Sequence, residues 1–408
     1  MKNYGHTKLL LAITLLLFAC YLVECSKARK YPSIFNSKDV PVIELSGSAY
    51  ERGLQHGQIL KNEIAEVYSK WKQNINIGTK RDADSILAEF TNATNFEPII
   101  KKWTPDLLKE IKGIADGSGQ KYNDVYAFQL VDEFWVFTDS IDHSKSEHCS
   151  CIGVSSSKNH PAYIAQNMDL ENYMNGYQVL LHIHGSKEVP EQYLLTCAGA
   201  IVTTGMNEYG IGVNANTLME LQSSSDGLPV AYVIRGILEK QNNEEVLSFI
   251  NSIKFASGQN YVIGIQDSIY DFETSAIQIT RFYPKKEQNG IVYHTNHALV
   301  NHNVKPWYQN YHNKVIAGET KDLNSETRFS TLERRLAIPF EEISQDLIKS
   351  TLRSKDNEKH PICRTYKEGG GIFTFGSVVY TLTGKCSVQV TKGSPDQAEY
   401  KEHFFSDD

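Results

Sequence analysis

The sequence lacks the excess of basic residues that is typical of proteins that bind nucleic acid. It has 41 lysines and arginines against 48 aspartates and glutamates, which gives a formal net charge of -7. Because a net negative field repels a phosphate backbone, nucleic acid is excluded as a partner. Internal repeats, proline-rich linkers and low-complexity tracts are absent too. The 408 residues would suffice for two or three average domains, but 41% are hydrophobic and nothing marks a boundary, so we expect one folded unit over residues 26–408.

Long apolar runs are equally scarce. The run from Leu9 to Val23 has 15 residues, comes after Lys2 and Lys8, and ends at Glu24. A helix needs about 20 apolar residues to cross a bilayer, so this run is too short for a membrane anchor. It is typical of a secretory signal peptide, which we assign to residues 1–25. We therefore expect no transmembrane anchor and a mature protein that is secreted or lies in the endolysosomal lumen.

Cysteine is also infrequent, with 7 residues in the whole chain. Removal of residues 1–25 leaves five: Cys149, Cys151, Cys197, Cys363 and Cys386. An odd number in an exported protein indicates that one thiol lies outside the internal disulfides, or that one bridge is intermolecular. We expect Cys363 to pair with Cys386 and Cys149 to remain a thiol. The tripeptide that begins at Asn92 (Asn-Ala-Thr) is an acceptor for N-glycosylation, which fits export.

The spacing of apolar residues changes near residue 149. Before it, helical periodicity predominates: a capping box at Ser48 and Glu51 opens a predicted helix that runs to Trp71. After it, short strands separated by turn residues predominate, with helices in blocks between them. Residues 26–148 are thus predicted to be mostly helical and 149–408 to form a β-rich catalytic segment. This order favours an α+β fold, with two antiparallel sheets and helices outside them.

Cys149 stands at this border and is the first candidate for chemistry. A thiolate is a good nucleophile for acyl transfer if another group accepts its proton. The alternative is that Cys149 and Cys151 are simply buried or bridged. Downstream, Asn167 and Asp169 lie in Gln-Asn-Met-Asp at the end of a predicted strand. The carboxylate could orient an amine or a substrate, or it could be an ordinary turn residue.

Six segments in order resemble the acyl-coenzyme A:isopenicillin N acyltransferase family of N-terminal-nucleophile hydrolases, which is related to acid ceramidase and choloylglycine hydrolases. They are residues 47–57, the segment around Cys149, residues 166–169, residues 205–212, residues 294–297 and residues 393–395. The resemblance implies an αββα sandwich of two antiparallel sheets between helical layers. It also implies a precursor that cleaves itself before its nucleophile, here between His148 and Cys149, and so a two-chain mature form.

The resemblance assigns roles to further residues. The new α-amine of Cys149, with an ordinary pKa of about 8, would accept the proton of its own thiol. Asn296 would donate a hydrogen bond to the oxyanion, and Asp169 would contact the amine. Arg328 resembles an arginine near the family's active site, although it could equally be an exposed helix cation. Many relatives have glycine where this chain has His148; we expect cleavage nonetheless, and His148 could help to deliver a proton.

The expected function is an amidase or acyltransferase that acts on linear amide bonds of small N-acylated compounds, with fatty-acyl or ceramide-like substrates as candidates. Nucleophile and base would be one residue, so no cofactor or metal is expected, and a zinc site built from His294, His297 and His302 is disfavoured. Two alternatives stay open. One is a secreted thiol protease that pairs Cys149 with His297. The other is a non-catalytic secreted binding protein, in which Cys149 forms a disulfide with Cys151 or Cys197.

Overall fold

The computed structural model describes residues 37–138, 149–187, 189–283, 290–317 and 323–406. The predicted signal peptide, His148 and the bond before Cys149 lie outside these ranges. Residues Lys38–Asp408 form one compact unit. None of the described helices combines the length and the apolar character that crossing a membrane requires.

The helices and strands alternate in blocks along the chain. The helices are α1 (Ala49–Ile59), α2 (Lys61–Thr79), α3 (Ala83–Ala93), α4 (Glu97–Trp103), α5 (Pro105–Ser118), α6 (Tyr122–Phe128), α7 (Val131–Thr138), α8 (Val230–Leu238), α9 (Asn243–Ser252), α10 (Pro306–Ile316), α11 (Asn324–Arg335) and α12 (Gln345–Leu352). The strands are β1 (Val42–Leu45), β2 (Ser150–Val154), β3 (Tyr163–Glu171), β4 (Gln178–Ile183), β5 (Gln192–Cys197), β6 (Thr204–Asn207), β7 (Ile211–Thr217), β8 (Gln259–Ile265), β9 (Ser268–Thr274), β10 (Ile279–Phe282), β11 (Ile291–His294), β12 (Ile372–Thr381), β13 (Ser387–Val390) and β14 (Lys401–Phe404).

The strands form two sheets. The first has eight strands in the order β1-β4-β5-β6-β7-β8-β9-β10, and the second has six in the order β11-β2-β3-β12-β13-β14. Within them the predicted antiparallel pairing is confirmed at every interface but one, because β1 joins β4 in parallel. That strand comes from the mostly helical N-terminal segment, and it adds to the edge of a sheet that the β-rich segment builds.

The two sheets pack face to face, with helices on both outer faces. Between the sheets, Gln166 Nε2 on β3 donates to the Ala215 carbonyl on β7 at 2.6 Å. The sheets approach so closely at Gly153 that a Cβ atom there would lie 2.6 Å from Cγ2 of Ile269. Outside, α8 packs on β6 and β7, and α11 and α12 pack on the second sheet. The fold is therefore the αββα sandwich that the resemblance implies.

The N-terminal helices are joined to this sandwich by close packing and buried charge. Two glycines of the first family-like segment serve this packing: a Cβ would lie 1.9 Å from the Glu110 carbonyl oxygen of α5 at Gly53, and 2.4 Å from the Ile114 carbonyl oxygen at Gly57. The buried Glu110 carboxylate accepts from Arg235 of α8 at 2.7 and 3.0 Å and pairs with Arg52 at 3.3 Å. An unsatisfied charge there would be costly, so this network fixes how the helices meet α8.

The structure corrects two predictions of detail. The capping box at Ser48 and Glu51 is confirmed, but the helix predicted to run to Trp71 is two helices, α1 and α2, which meet at Leu60. The disulfide between Cys363 and Cys386 is wrong, because both are thiols. The Cys363 thiol contacts Asp396 Oδ1 at 3.1 Å, whereas the Cys386 thiol donates to the Leu382 carbonyl at 3.3 Å.

The glycosylation acceptor Asn92 is exposed near the end of α3, where it is accessible to modification.

Candidate active site

Cys149 directly precedes β2, which lies between β11 and β3 in the second sheet. The antiparallel register sets His294, the last residue of β11, opposite Cys151. The chain therefore leaves β11 beside the point where it enters β2, and this brings residues 295–297 next to Cys149. The Cys149 residue is only 6% exposed. Since side chains alternate along a strand, Cys149 and Cys151 face the first sheet, whereas Ser150 faces the helices.

Arg328 of α11 joins the candidate residues from the helical side. Its Nη1 donates to the Cys149 carbonyl and to Ser150 Oγ, the latter at 3.0 Å. Its Nη2 donates to Asn296 Oδ1 at 2.9 Å, and its Nε donates to Asn324 Oδ1, also at 2.9 Å. The guanidinium group is fully buried, so the alternative of an exposed helix cation is wrong. Burial lowers the pKa of Arg328 to about 10, although the charges of Asp169 and Cys149 partly oppose this shift.

The Asn296 side chain is held at both ends. Its Oδ1 accepts from Arg328, and its Nδ2 donates to the Thr217 carbonyl at 3.1 Å. Its backbone N–H donates to Ser325 Oγ at 2.7 Å. A primary amide has two N–H groups, so the contact with Thr217 leaves Asn296 able to donate a second hydrogen bond. This suits a group that must stabilise an oxyanion from a fixed position.

The loop after Asn296 is pinned by the buried carboxylate of Glu273. This carboxylate accepts from the backbone N–H groups of Val300 and Asn301 at 3.0 and 2.6 Å, and lies 2.9 Å from His294 Nε2. Burial raises the pKa of Glu273, but the His294 contact and the backbone donors outweigh it and lower the pKa overall. The other ring nitrogen of His294 contacts the Thr295 carbonyl at 2.7 Å. His294 therefore holds the loop, and its contacts give no support to a zinc site with His297 and His302.

Asp169 lies on β3, on the face toward the helices. Its Oδ1 accepts from Thr374 Oγ1 at 2.7 Å, and its Oδ2 lies 3.1 Å from Arg364 Nε. Burial raises the pKa of Asp169 to about 7, although the positive charges of Arg364 and Arg328 act against this shift. The Asp169 carboxylate is therefore within the electrostatic range of Arg328. On the same face, Asn167 Nδ2 donates to the carbonyls of Leu352 and Ile362 at 2.8 and 3.0 Å, so these contacts tie the end of α12 to the sheet.

A cavity of about 110 Å³ is lined by Cys149 together with residues of β3, β7 and helices α6 to α8. Its lining is mostly apolar. It consists of Phe128, Gln129, Val131, Asp132, Cys149, Gln166, Met168, Leu170, Glu171, Met174, Cys197, Ala200, Val202, Thr203, Ala215, Thr217, Val230, Ala231, Ile234 and Gln259. Sequence reasoning identified few of these residues, because they come from both sides of residue 149 and no local motif unites them.

Polar acceptors interrupt this apolar lining. Asp132 Oδ2 accepts from Thr217 Oγ1 at 3.1 Å and from Gln259 Nε2 at 3.2 Å. Burial raises the pKa of Asp132. The side-chain oxygens of Gln166 and Gln259 are buried and make no hydrogen bond with the described residues. Buried acceptors without a donor are costly, so a bound molecule with N–H or O–H groups would be favoured here.

Two neighbouring groups are poor candidates for the reaction. The Cys151 thiol lies 2.6 Å from Asn216 Oδ1, and burial raises its pKa well above the ordinary value, so Cys151 stays a neutral thiol. His297 Nδ1 contacts Ser325 Oγ at 2.7 Å, and its ring packs against Phe329. Burial lowers the pKa of His297 to about 3, which makes its ring a weak base at neutral pH.

A protein-family model described as acyl-coenzyme A:6-aminopenicillanic acid acyl-transferase matches residues 155–390, which include Asp169, Asn296 and Arg328. The chain belongs to this acyl-transferase family. Over 369 residues it is 26% identical to the 40 kDa form of acyl-coenzyme A:6-aminopenicillanic-acid-acyltransferase from Emericella nidulans, which covers 87% of this chain and 94% of the relative. Membership confirms the resemblance to the acyltransferase family and assigns the chain to enzymes of the acyltransferase type.

Two solved structures are similar to this acyl-transferase family member at a lower level. The Caenorhabditis elegans ortholog of N-acylethanolamine-hydrolyzing acid amidase has a TM-score of 0.39 and 14% identity, over 57% of this chain and 92% of that chain. A mutant of the conjugated bile acid hydrolase from Clostridium perfringens has a TM-score of 0.39 and 12% identity, over 63% and 97%. Scores this low add nothing to the fold, which is established by the sheets and layers of the chain itself.

Buried carboxyl groups predict that this acyl-transferase family member is most stable in mild acid. Burial raises the pKa of Glu133, Asp169, Glu220 and Asp271 to about 7. Each contributes stability that is fully present below its unfolded pKa of about 4 and is lost as the pH rises through 7. Burial acts in the opposite sense on His56 and His297, whose pKa values fall to about 4 and 3.

Since the raised carboxyl groups outnumber the depressed histidines, the thermal midpoint should be several degrees higher at pH 5 than at pH 7.5. Differential scanning calorimetry at constant ionic strength measures this directly. A midpoint that increased steadily from pH 5 to pH 8 would contradict the expectation.

Proposed function

We propose that this chain is an amidase or acyltransferase whose nucleophile is the thiol of Cys149, made N-terminal by self-cleavage after His148. Its substrates would be small N-acylated compounds with a linear amide bond and an apolar acyl chain. The observation that carries the proposal is the position of Cys149, which lines a mostly apolar cavity while Arg328 connects it with Asn296. A two-chain mature form follows from the cleavage.

The reaction uses groups of the chain throughout. The free α-amine of Cys149 accepts the thiol proton, and the thiolate attacks the amide carbonyl carbon. The nearby Arg328 cation favours the thiolate, and Asn296 Nδ2 donates to the oxygen that becomes negative. The tetrahedral intermediate collapses, the amine leaves with the proton that the α-amine returns, and a thioester on Cys149 remains. Water or an acceptor amine then attacks the thioester and releases the acyl group.

The cavity supports an apolar acyl chain and a polar group near the scissile bond. Its apolar walls would remove an aliphatic chain from water, which is worth about 0.8 kcal/mol for each buried methylene. The buried oxygens of Gln166 and Gln259 would accept from N–H or O–H groups of the same molecule. Fatty amides that carry hydroxyl or amide donors, including ceramide-like compounds, combine both features.

We propose a secreted or endolysosomal location for the enzyme. The exposed Asn92 acceptor fits a glycoprotein of the export route. The buried carboxyl groups that favour folding in mild acid fit an acidic lumen.

The two alternatives receive less support. In a thiol protease, His297 would have to accept the proton of Cys149. Its pKa of about 3 makes it too weak a base for this, and its Nδ1 already contacts Ser325 Oγ. In a non-catalytic binding protein, Cys149 would be bridged to Cys151 or Cys197, but all three are thiols.

Filling the cavity should change the preference for the acyl chain. Ala231 of α8 lines the cavity, so Ala231→Phe should shorten the space for the substrate. We expect kcat/KM for a palmitoyl amide to fall by about 10-fold or more, while a butyryl amide of the same amine is affected much less. The measurement is hydrolysis of an acyl-chain series with one amine.

The control for this experiment is Ala88→Phe, which places the same ring on the exposed face of α3. It should leave the whole series unchanged. If Ala231→Phe lowered the rate equally for palmitoyl and butyryl amides, with an unchanged thermal midpoint, the cavity would not be the acyl site. A wild-type protein inactive on every amide of the series would refute the proposed substrate class.

A further inference from the structure

A cluster of imidazole and carboxylate groups lies at the β1–β4 edge of the first sheet, outside the site described above. Glu44 of β1 is opposite His182 of β4 in the parallel register, and His184 follows β4. The Oε2 atom of Glu44 lies 2.7 Å from His182 Nδ1 and 2.9 Å from His184 Nε2. One ligand atom from each residue lies within 4.8 Å of the other two. These atoms are close enough to surround a single ion.

The His182 ring is fixed in one orientation. Its side chain is 10% exposed and stacks on Tyr193, with ring centroids 4.2 Å apart and planes 11° apart. Its Nε2 lies 2.7 Å from Oε1 of Glu191, whose side chain is 5% exposed. In the tautomer that carries its proton on Nε2, the buried Glu191 carboxylate accepts this proton and the Nδ1 lone pair faces Glu44 and His184.

That arrangement requires a positive charge between the groups. A neutral imidazole has one N–H, so with Nε2–H donating to Glu191 the Nδ1 lone pair faces a second carboxylate at 2.7 Å. Two electron pairs at that distance repel each other unless a proton or a metal ion lies between them. A proton would make His182 an imidazolium that donates to both Glu44 and Glu191, whereas a metal ion on Nδ1 leaves Nε2–H to donate to Glu191 and engages His184 through its Nε2 lone pair.

A metal ion satisfies all three ligands at once. A metal-bound histidine usually donates its other ring N–H to a carboxylate, which fixes the orientation of the ring. Here Glu191 is that carboxylate. Two imidazole nitrogens and one carboxylate oxygen suit Zn²⁺, with water as the fourth ligand. The Glu44 and His184 side chains are 58% and 47% exposed, so an ion can enter and both can adjust.

We propose that Glu44, His182 and His184 bind a divalent transition metal ion, preferentially Zn²⁺, with Glu191 as the residue that orients His182. The shared metal ion would cross-link β1, an edge strand of four residues, to the neighbouring strand β4. It would thereby link the segment before residue 149 to the segment after it, and in a chain cleaved before Cys149 it would connect the two parts. Such a site stabilises the fold because binding favours the native state.

Zinc titration of the full chain tests the proposal. Protein without a histidine tag is treated with EDTA to remove metal, dialysed, and titrated with ZnCl₂ at pH 7 by isothermal titration calorimetry. The number of zinc ions bound per chain is measured by inductively coupled plasma mass spectrometry. We expect one zinc per chain and a higher thermal midpoint with zinc. His184→Ala and Glu44→Gln should each weaken binding by about 10-fold or more and reduce the zinc-dependent rise of the midpoint.

His302→Ala is the matched control, since His302 is an exposed histidine outside the cluster. It should bind zinc as the wild type does. Both test substitutions are at exposed positions, so the EDTA-treated variants should unfold within a degree or two of the wild type. The proposal is overturned if the wild type binds no zinc at this pH, or if His184→Ala binds zinc with unchanged affinity, which would assign the ion to another site such as the Cys149 thiol.

Discussion

Replacement of Cys149 by alanine is expected to abolish both self-cleavage and amide turnover. The substitution removes the only atom that, in the proposed reaction, attacks first the His148 carbonyl and then the substrate carbonyl. Loss of a nucleophile that acts through a covalent intermediate lowers kcat by about 10⁴-fold or more. Mass spectrometry should show a wild-type fragment that begins with Cys149 and a variant that stays intact across this bond. Turnover is measured on the same preparations with a palmitoyl amide.

Folding of the Cys149→Ala variant is checked by its thermal midpoint, which should change little because the replacement is small. The matched control is Cys386→Ala, which removes a half-buried thiol that contacts the Leu382 carbonyl. This control should be cleaved and active. An intact wild-type chain with full activity would rule out an N-terminal nucleophile. Activity retained by Cys149→Ala would rule out the thiol altogether.

Arg328→Lys is expected to lower kcat by about 10²–10³-fold with a smaller change in KM. The guanidinium group of Arg328 reaches the Cys149 carbonyl, Ser150, Asn296 and Asn324 at once. An ammonium group is a single point of charge and cannot reproduce this planar array. We infer that Arg328 is a positioning residue for Asn296. The expected decrease in kcat is therefore the same as for removal of one hydrogen-bond donor to the oxyanion.

The control for this variant lies on the same helix. Arg334 of α11 pairs with Asp356, and its side chain is 61% exposed. Arg334→Lys should leave kcat, KM and the thermal midpoint unchanged. A merely structural role for Arg328 would lower the midpoint and the yield of folded protein but leave the kcat of the folded fraction intact. Unchanged kcat in folded Arg328→Lys would therefore contradict the positioning role.

The fold class could be predicted from periodicity, but several elements could not. Strands such as β4 and β12 carry apolar or β-branched runs that predict a buried strand. β1 has four residues, and β6 contains Gly205 and Asn207, which favour turns. Such strands exist because neighbouring strands satisfy their backbone groups. Glu110 likewise occupies an apolar helix face, and only Arg52 and Arg235 make its burial tolerable.

The candidate site was predictable only in part. Cys149 was identified by its position at a border, and Asp169 and Asn296 by their family-like segments. Arg328 lies in a strongly polar helix, and nothing local distinguishes it from the exposed Arg334 six residues later. Its burial results from the packing of α11 against β11 and β2. The cavity residues Asp132 and Gln259 are separated by more than a hundred residues and meet because α7 lies over the end of β8.

The amino-acid sequence by itself determined the chemistry available to this protein: one thiol at a change of pattern, a carboxylate and an amide in recognisable segments, and an apolar content large enough for a layered α+β fold. The tertiary structure decided which of these groups work together. Pairing of β11 with β2 brings Asn296 to Cys149, and α11 brings Arg328 to both. Contacts between residues far apart in the chain depend on packing and on the cost of burying charge, and neither can be read from local pattern.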